Sequence, residues 1–246
     1  MLKKRIFIHQ NIPYAFNWNI VNHKAKISQV NPRRKEFIML GTYFKRVYQG
    51  DIPNYLFNTR EYHRISQFKI RGIKPSFLDS FSKKLIRDGK IMPFDSDSNL
   101  PRYAQKVFQS FKSHEISRSP GHEPILKYIL IKDKNSLAIE IPIWKKFTST
   151  YLTGHIDLIQ IQGNTIKVID YKPEGNFLYS IPQVASYGLL IKSRFNLKDV
   201  KCISFNRREA WEFDPLILLN EIREYLHNHG SKDPIWNDYL SDIITI

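Results

Sequence analysis

The chain has 246 residues, and its 38 lysines and arginines outnumber its 23 aspartates and glutamates, which gives a net charge of +15. This length suits one large domain or a core with a smaller lobe, and the single cysteine, Cys202, excludes a disulfide framework and a four-cysteine zinc or iron–sulfur site within the chain. No apolar stretch is long enough to cross a bilayer and no secretory signal is evident, so we expect a cytoplasmic protein with no membrane partner.

The excess positive charge is concentrated in the N-terminal third. Residues 1–90 hold 19 Lys and Arg against 5 Asp and Glu, whereas residues 91–246 hold 19 against 18. A basic block suits a polyanionic partner, because binding of phosphates releases counterions. The other interpretation is a merely solvated basic surface. A polar loop at residues 95–99 marks the boundary, so the sequence predicts a basic N-terminal lobe at 1–95, which would grip nucleic acid, and a core at 96–246.

Helical spacing is frequent in the N-terminal lobe. Residues 1–35 show weak periodicity with hints of short extended pieces, whereas residues 36–47 carry apolar side chains at a helical spacing. Residues 54–93 interleave basic and aromatic side chains, which either supply phosphate contacts and base stacking or form the core of a small helical lobe. Within that segment, residues 76–88 have apolar side chains four apart and stop at Gly89, as a helix does. We therefore expect a mainly helical lobe.

Strands and helices follow one another in the core, which predicts an α/β layered domain. Four histidines near element ends, His114, His122, His227 and His229, fit no zinc spacing, and we interpret them as surface or helix-end residues. The predicted elements are a helix at 101–113, strands at 125–132 and 137–143, a hairpin of strands at 151–161 and 165–172, a helix from Ser180 to about Lys192, strands at 200–205 and 210–213, and an amphipathic helix at 216–226.

The stretch from Leu152 to Tyr187 concentrates residues that can carry catalysis. The two strands of its hairpin flank a turn at Gly163, and each contains one aspartate, Asp157 and Asp170. By the two-residue period of a strand, Asp170 and Lys172 point to the same face. An aspartate within an apolar strand is costly unless it is paired or bound to a metal. If the two aspartates meet across the hairpin, they form with the lysine a site that suits a hard cation such as Mg²⁺.

The lysine of this stretch has two interpretations. In a catalytic site, Lys172 would orient or deprotonate the attacking water, or stabilise the charge that develops on a phosphate. In the structural interpretation, Asp170 and Lys172 form an ordinary salt bridge at the end of a strand. The segments Gly154–Asp157 upstream and Gln183–Tyr187 on the following helix favour catalysis, because this ordered set rarely arises by chance.

At these residues the sequence resembles the PD-(D/E)XK nuclease superfamily, in particular its RecB-like branch. That branch shows G-x-x-D, a strand, D-x-K, and then Q-x-x-x-Y on the next helix, and the matches are Gly154–Asp157, Asp170–Lys172 and Gln183–Tyr187, within a matching region of about residues 137–190. The resemblance implies a restriction-endonuclease-like core, in which helices flank a central mixed sheet. It also implies a nuclease that uses Mg²⁺ or Mn²⁺ to hydrolyse single- or double-stranded DNA, without the iron–sulfur cluster of some members.

The resemblance further implies a role for each matched residue. Lys172 would be the catalytic lysine, and Gln183 and Tyr187 would help to hold the site or the nucleic-acid backbone. The implied metal ligands are the side chains of Asp157 and Asp170, the carbonyl oxygen of Tyr171, and Glu140, which matches an acidic residue often found on the preceding strand.

The chain departs from the family pattern at two positions. Pro173 follows the catalytic lysine, where the family often has Thr or Ser. Residues 40–45, LGTYFK, resemble the segment that bears a metal-binding histidine in many members, but Lys45 stands at the histidine position, and a protonated lysine cannot ligate a metal. These departures leave open a nucleic-acid-binding protein with an inactive nuclease fold. A third hypothesis is an unrelated basic α/β protein, in which Asp157 and Asp170 would lie far apart.

Overall fold

The computed structural model describes residues 1–29, 34–94, 99–147, 150–173, 177–229 and 236–239. Its strands are β1 (Leu2–His9), β2 (Ile12–Asn19), β3 (His63–Arg64), β4 (Ile91–Pro93), β5 (Ser136–Phe147), β6 (Thr150–Gln162), β7 (Thr165–Tyr171), β8 (Val200–Phe205) and β9 (Ala210–Phe213). Its helices are α1 (Ile20–Gln29), α2 (Arg34–Gln49), α3 (Asn54–Asn58), α4 (Pro75–Arg87), α5 (Leu100–Ser113), α6 (His122–Lys132), α7 (Ile181–Phe195) and α8 (Arg223–Asn228).

Nine strands in the described part of the chain form one mixed sheet. Its order is β1-β2-β5-β6-β7-β8-β9-β4, and β3 pairs with β6 outside this path. The β7–β8 and β3–β6 pairs are parallel, and the other neighbours are antiparallel. The coarse prediction of an α/β protein with a mixed sheet flanked by helices is confirmed, while the restriction-endonuclease-like core stays a prediction.

Helices cover both faces of the sheet. On one face, α5 and α6 pack on Ile139, Leu158 and Ile169. On the other face, α2 and α7 pack in a larger cluster that includes Ile156 and Val168. Burying each aliphatic side chain of this kind stabilises the fold by about 1.5–3 kcal/mol relative to leaving it exposed. The two apolar layers therefore hold β5, β6 and β7 rigidly in the middle of the molecule.

One predicted strand is a helix. Residues 125–132 lie in α6, and the prediction of a strand there is wrong. The run is apolar and short, and periodicity alone does not distinguish a buried strand from a buried helix in such a run. The predicted helices at 36–47, 76–88 and 101–113 correspond to α2, α4 and α5.

The N-terminal segment takes part in the same sheet as the core. Strand β2 pairs with β5, β3 with β6, and β4 with β9. The segment contributes four strands as well as four helices, so it contains more β structure than the predicted, mainly helical lobe. Most of the loop predicted as the domain boundary, residues 95–98, lies outside the described residues. In the described ranges no helix has both the length and the apolar character that a membrane crossing requires.

Candidate active site

Three adjacent strands bring three acidic residues into one row. Leu158 on β6 pairs with Ile139 on β5 and with Ile169 on β7. Glu140 directly follows Ile139, Asp157 directly precedes Leu158 and Asp170 directly follows Ile169, so the three acids lie at the same end of these pairs. The charge of Asp157 acts on both Glu140 and Asp170, which places the three carboxyl groups near one another. The two predicted aspartates are therefore neighbours, contrary to the hypothesis in which they lie far apart.

Glu140 stands at a distortion of its strand. Its φ angle is +51°, in the left-handed region that residues other than glycine rarely adopt. Ile139 packs with α5 and α6, whereas Ile141, two residues away, packs in the other cluster. An undistorted strand would place both on the same face. Such backbone strain costs of order 1–3 kcal/mol and is concentrated at binding and catalytic sites.

Asp170 is the centre of a closed hydrogen-bonded group. Its Oδ2 lies 2.6 Å from Nζ of Lys172, and Gln183 donates from Nε2 to its Oδ1 at 3.4 Å. Lys172 in turn donates from Nζ to Oε1 of Gln183 at 3.0 Å. Three residues that the sequence placed in the site are thus in mutual contact, and Lys172, just past the end of β7, reaches Asp170 as the two-residue period predicted.

The charges of this group depend on its burial. Burial raises the pKa of Asp170 to about 6, the charge of Asp157 acts in the same direction, and Lys172 opposes both. Burial by itself lowers the pKa of Lys172, but the carboxylates of Asp170 and Asp157 raise it by more. Lys172 is therefore held as an ammonium ion beside an acid that takes up a proton more readily than an exposed aspartate.

Asp157 links β7 to helix α6. Its Oδ2 accepts a hydrogen bond from the backbone N–H of Tyr171 at 2.9 Å and lies 3.4 Å from Nδ1 of His122. His122 is the first residue of α6, and its imidazole packs edge-on against the ring of Tyr171, with the centroids 5.3 Å apart. The hydrogen bond to Asp157 raises the pKa of His122. His122 thus lies at a helix end with a side chain that is 42% exposed, as predicted, but it is not isolated, because it contacts Asp157.

The segment that resembled a ligand-bearing helix has a packing role instead. Lys45 is exposed on α2. A Cβ atom added at Gly41 would lie 3.2 Å from Cε1 of the buried His23, so this glycine allows α2 to approach α1 closely. The imidazole of His122, and not the exposed Lys45, places a nitrogen that can ligate a metal beside the acidic row.

The two flanking motifs fit together physically. A Cβ atom at Gly154 would lie 2.6 Å from Cε1 and 2.8 Å from Oη of Tyr187, so only glycine leaves room for this ring. The buried hydroxyl of Tyr187 accepts a hydrogen bond from the backbone N–H of His155 at 3.3 Å. Burial raises the pKa of Tyr187 far above its usual value, so the hydroxyl stays protonated. Tyr187 positions the strand that carries Asp157.

The chain matches no model of a protein family, and no curated protein matches it either.

The acidic row carries repulsion that a cation would relieve. Burial and, to a lesser extent, the charge of Asp157 raise the pKa of Glu140 to about 8, against the opposing effect of His122. The oxygen donors of Glu140, Asp157 and Asp170 are those that Mg²⁺ and Mn²⁺ prefer. In the described ranges no three acidic or histidine side chains already surround a common point. A bound ion would therefore require side-chain rearrangement, first at Asp170, whose Oδ2 now contacts Lys172.

Proposed function

We propose that the protein is a metal-dependent nuclease that hydrolyses phosphodiester bonds in DNA. The observation that carries the proposal is the row of Glu140, Asp157 and Asp170 on adjacent strands, with Lys172 in contact with the last of them. The order of these residues along the chain supports the resemblance to the RecB-like branch of the PD-(D/E)XK nucleases. The positive charge of residues 1–90 supports a polyanionic substrate.

The proposed metal is Mg²⁺ or Mn²⁺, held by Asp157 and Asp170 with help from Glu140, the carbonyl oxygen of Tyr171 and the imidazole of His122. When bound, such an ion supplies Lewis-acid polarisation of the scissile phosphate and a more acidic water. The donor set fits the metal by its chemistry, since it combines carboxylate and carbonyl oxygens with one imidazole.

Lys172 has one role that its surroundings favour. Because neighbouring carboxylates raise its pKa, the side chain remains charged and is a poor general base near neutral pH. As an ammonium ion it stabilises the negative charge that develops on the phosphate oxygens during attack. Gln183, which accepts a hydrogen bond from Nζ, orients the ammonium group for this task.

A nucleic-acid-binding protein with an inactive nuclease fold is the second candidate. It depends on the basic N-terminal third of the chain and on two departures from the family pattern, Lys45 and Pro173. The position of His122 beside Asp157 weakens the reason based on Lys45, because a nitrogen donor is present on another helix. Pro173, which directly follows Lys172, and the basic N-terminal third remain the observations in favour of this candidate.

The deciding experiment is a cleavage assay on labelled single- and double-stranded DNA in Mg²⁺, Mn²⁺ or EDTA. We expect cleavage with metal only, reduced roughly 10²–10³-fold or more in Asp170→Asn and in Lys172→Met. Asp214→Asn is the matched control, because Asp214 is a partly exposed acid that pairs with Lys201 away from the acidic row. Cleavage that persists in Asp170→Asn contradicts the proposal, and DNA binding with no cleavage in either metal establishes the inactive fold.

A further inference from the structure

A polar cavity of about 500 Å³ is lined in part by Arg64 of β3, which pairs with the strand that carries the first aspartate. We call it the hairpin pocket, because residues of the turn between β1 and β2 form part of its wall. It is lined by two arginines, four amide side chains and one tyrosine, among them Arg60, Tyr62, Arg64 and Gln67. None of the described residues that line it is acidic, in contrast to the candidate active site.

The pocket is fixed to the active-site strand by backbone pairing. Arg64 lies on β3, and its pairing partner on β6 is Thr153. Thr153 precedes Asp157 by four residues on the same strand, so at about 3.3 Å per residue the two points are roughly 13 Å apart. A substrate strand of a few nucleotides is long enough to span a distance of this order.

A chain of side-chain contacts also joins the pocket to that strand. Arg64 donates to Oη of Tyr14 at 2.7 Å and to Oε1 of Gln10 at 3.1 Å. The Tyr14 ring stacks on the imidazole of His155, with the centroids 3.6 Å apart and the planes 4° from parallel. His155 lies two residues before Asp157. The orientation of Arg64 is thus set by rings packed against the strand of the candidate active site.

The charge of the pocket is available to a ligand. The hydrogen-bond partners of Arg64 are neutral, and Arg60 is exposed and makes no ion pair with any described residue. Arginine binds phosphate oxygens through its planar set of N–H donors. The amide side chains match the hydrogen-bonding edges of bases, and an aromatic ring offers a surface for base stacking. A cavity of roughly 300–1,000 Å³ takes a ligand the size of one nucleotide, not a duplex.

We infer that the hairpin pocket binds one unpaired nucleotide of the DNA strand whose scissile phosphate lies at the acidic row. This inference rests on the proposed nuclease function and specifies its substrate as single-stranded DNA, or a duplex with an unpaired end. Arg60 and Arg64 bind the phosphates on either side of the nucleotide, and Tyr62 with the amides contacts the base.

The test is fluorescence anisotropy of a labelled single-stranded oligonucleotide and of a blunt duplex, with the full chain in EDTA so that no cleavage occurs. We expect Arg60→Ala to weaken single-strand binding about tenfold and to lower the salt slope by about one, with a much smaller effect on the blunt duplex. Arg64→Lys, which keeps the charge but loses the planar donors, should weaken the single-strand complex several-fold. Arg71→Ala removes one exposed charge of the same basic segment from outside the pocket and should bind nearly as the wild type does.

The outcomes separate this inference from the proposed function. If Arg60→Ala binds single strands as tightly as the wild type, or if it loses single-strand and duplex affinity equally, the pocket does not hold an unpaired nucleotide, whatever the cleavage assay shows. If the pocket variants lose single-strand binding while no metal supports cleavage by the wild type, the nucleotide pocket stands and the nuclease proposal fails. Asp214→Asn, which alters neither the pocket nor the acidic row, should retain single-strand binding in EDTA.

A scan with one abasic position moved along the oligonucleotide tests the base contact. In the wild type, loss of the base at a single position should weaken binding several-fold. In Tyr62→Ala the same abasic position should have little further effect, because the contact is already lost. A uniform effect at all positions would show that the pocket binds phosphates alone, which overturns the assignment of a nucleotide site.

Discussion

Gly154→Ala tests the fit between the strand of the first aspartate and helix α7. The added Cβ atom would lie 2.6 Å from Cε1 of Tyr187, far inside the favourable carbon–carbon separation of about 3.5–4.0 Å. The Tyr187 ring is only 2% exposed, so it has no open space into which it can withdraw. We expect overpacking of this kind to lower the free energy of unfolding by about 1–3 kcal/mol.

A double-mutant cycle identifies Tyr187 as the cause. Tyr187→Ala alone removes a buried ring and should cost about 3–5 kcal/mol, by analogy with other large-to-small aromatic substitutions. In the double variant the alanine at position 154 occupies the space of the missing ring, so its own cost should disappear. The two substitutions should therefore be non-additive, with an interaction energy of about 1–3 kcal/mol.

Urea denaturation of the four proteins supplies the measurement, with unfolding followed by tyrosine and tryptophan fluorescence. The denaturant slopes must agree among the variants, because a changed slope reports a different unfolding transition. If the two costs add to within about 0.5 kcal/mol, Gly154 and Tyr187 act independently. That result would refute the claim that glycine is required at position 154 because the Tyr187 ring packs against it. A Gly154→Ala protein of wild-type stability would refute it as well.

Three further predictions concern protons and metal. Burial lowers the pKa of His23 from 6.5 to about 4. The stability that its neutral form provides is therefore complete above pH 6.5 and is lost as the pH falls towards 4. In urea denaturation, the free energy of unfolding should change between pH 8 and pH 5 by about 2 kcal/mol less in His23→Phe than in the wild type. Mn²⁺ or Mg²⁺ should raise the melting temperature of the wild type in a concentration-dependent way that EDTA reverses, and an equal rise in Asp170→Asn would count against the metal site. His122→Ala should lower metal-dependent cleavage about 10–100-fold while Lys45→Ala leaves it unchanged, and the reverse order would restore Lys45 to the site.

The strands that carry the acids could be predicted because their signals are local. The turn at Gly163 and the apolar runs on either side of it define a hairpin, and the two-residue period places Asp170 and Lys172 on one face. The contact between these two side chains agrees with that prediction. The function of the contact does not follow from the period, since an ordinary salt bridge has the same geometry.

The parts that sequence reasoning missed depend on non-local packing. His122 lies 35 residues before Asp157, and the buried run that follows it fits a strand as well as a helix, so nothing local indicated that its ring would meet the hairpin. Glu140 adopts a left-handed conformation although it is not a glycine, so the sequence contains no signal for that distortion. Strands β2 and β5 are far apart in the chain, and the apolar–polar alternation of one does not predict that it pairs with the other.

The pairing of β2 with β5 also determines how long the N-terminal hairpin lacks its partner strand during synthesis. Residue 17 pairs with residue 139, a separation of 122 residues, which at about 5–20 residues per second corresponds to roughly 6–24 s of translation. Throughout that interval both edges of the newly made hairpin are open to other nascent chains. The cluster of Lys3, Lys4 and Arg5 on β1 adds mutual repulsion between copies along one of these edges, a common protection against intermolecular strand pairing.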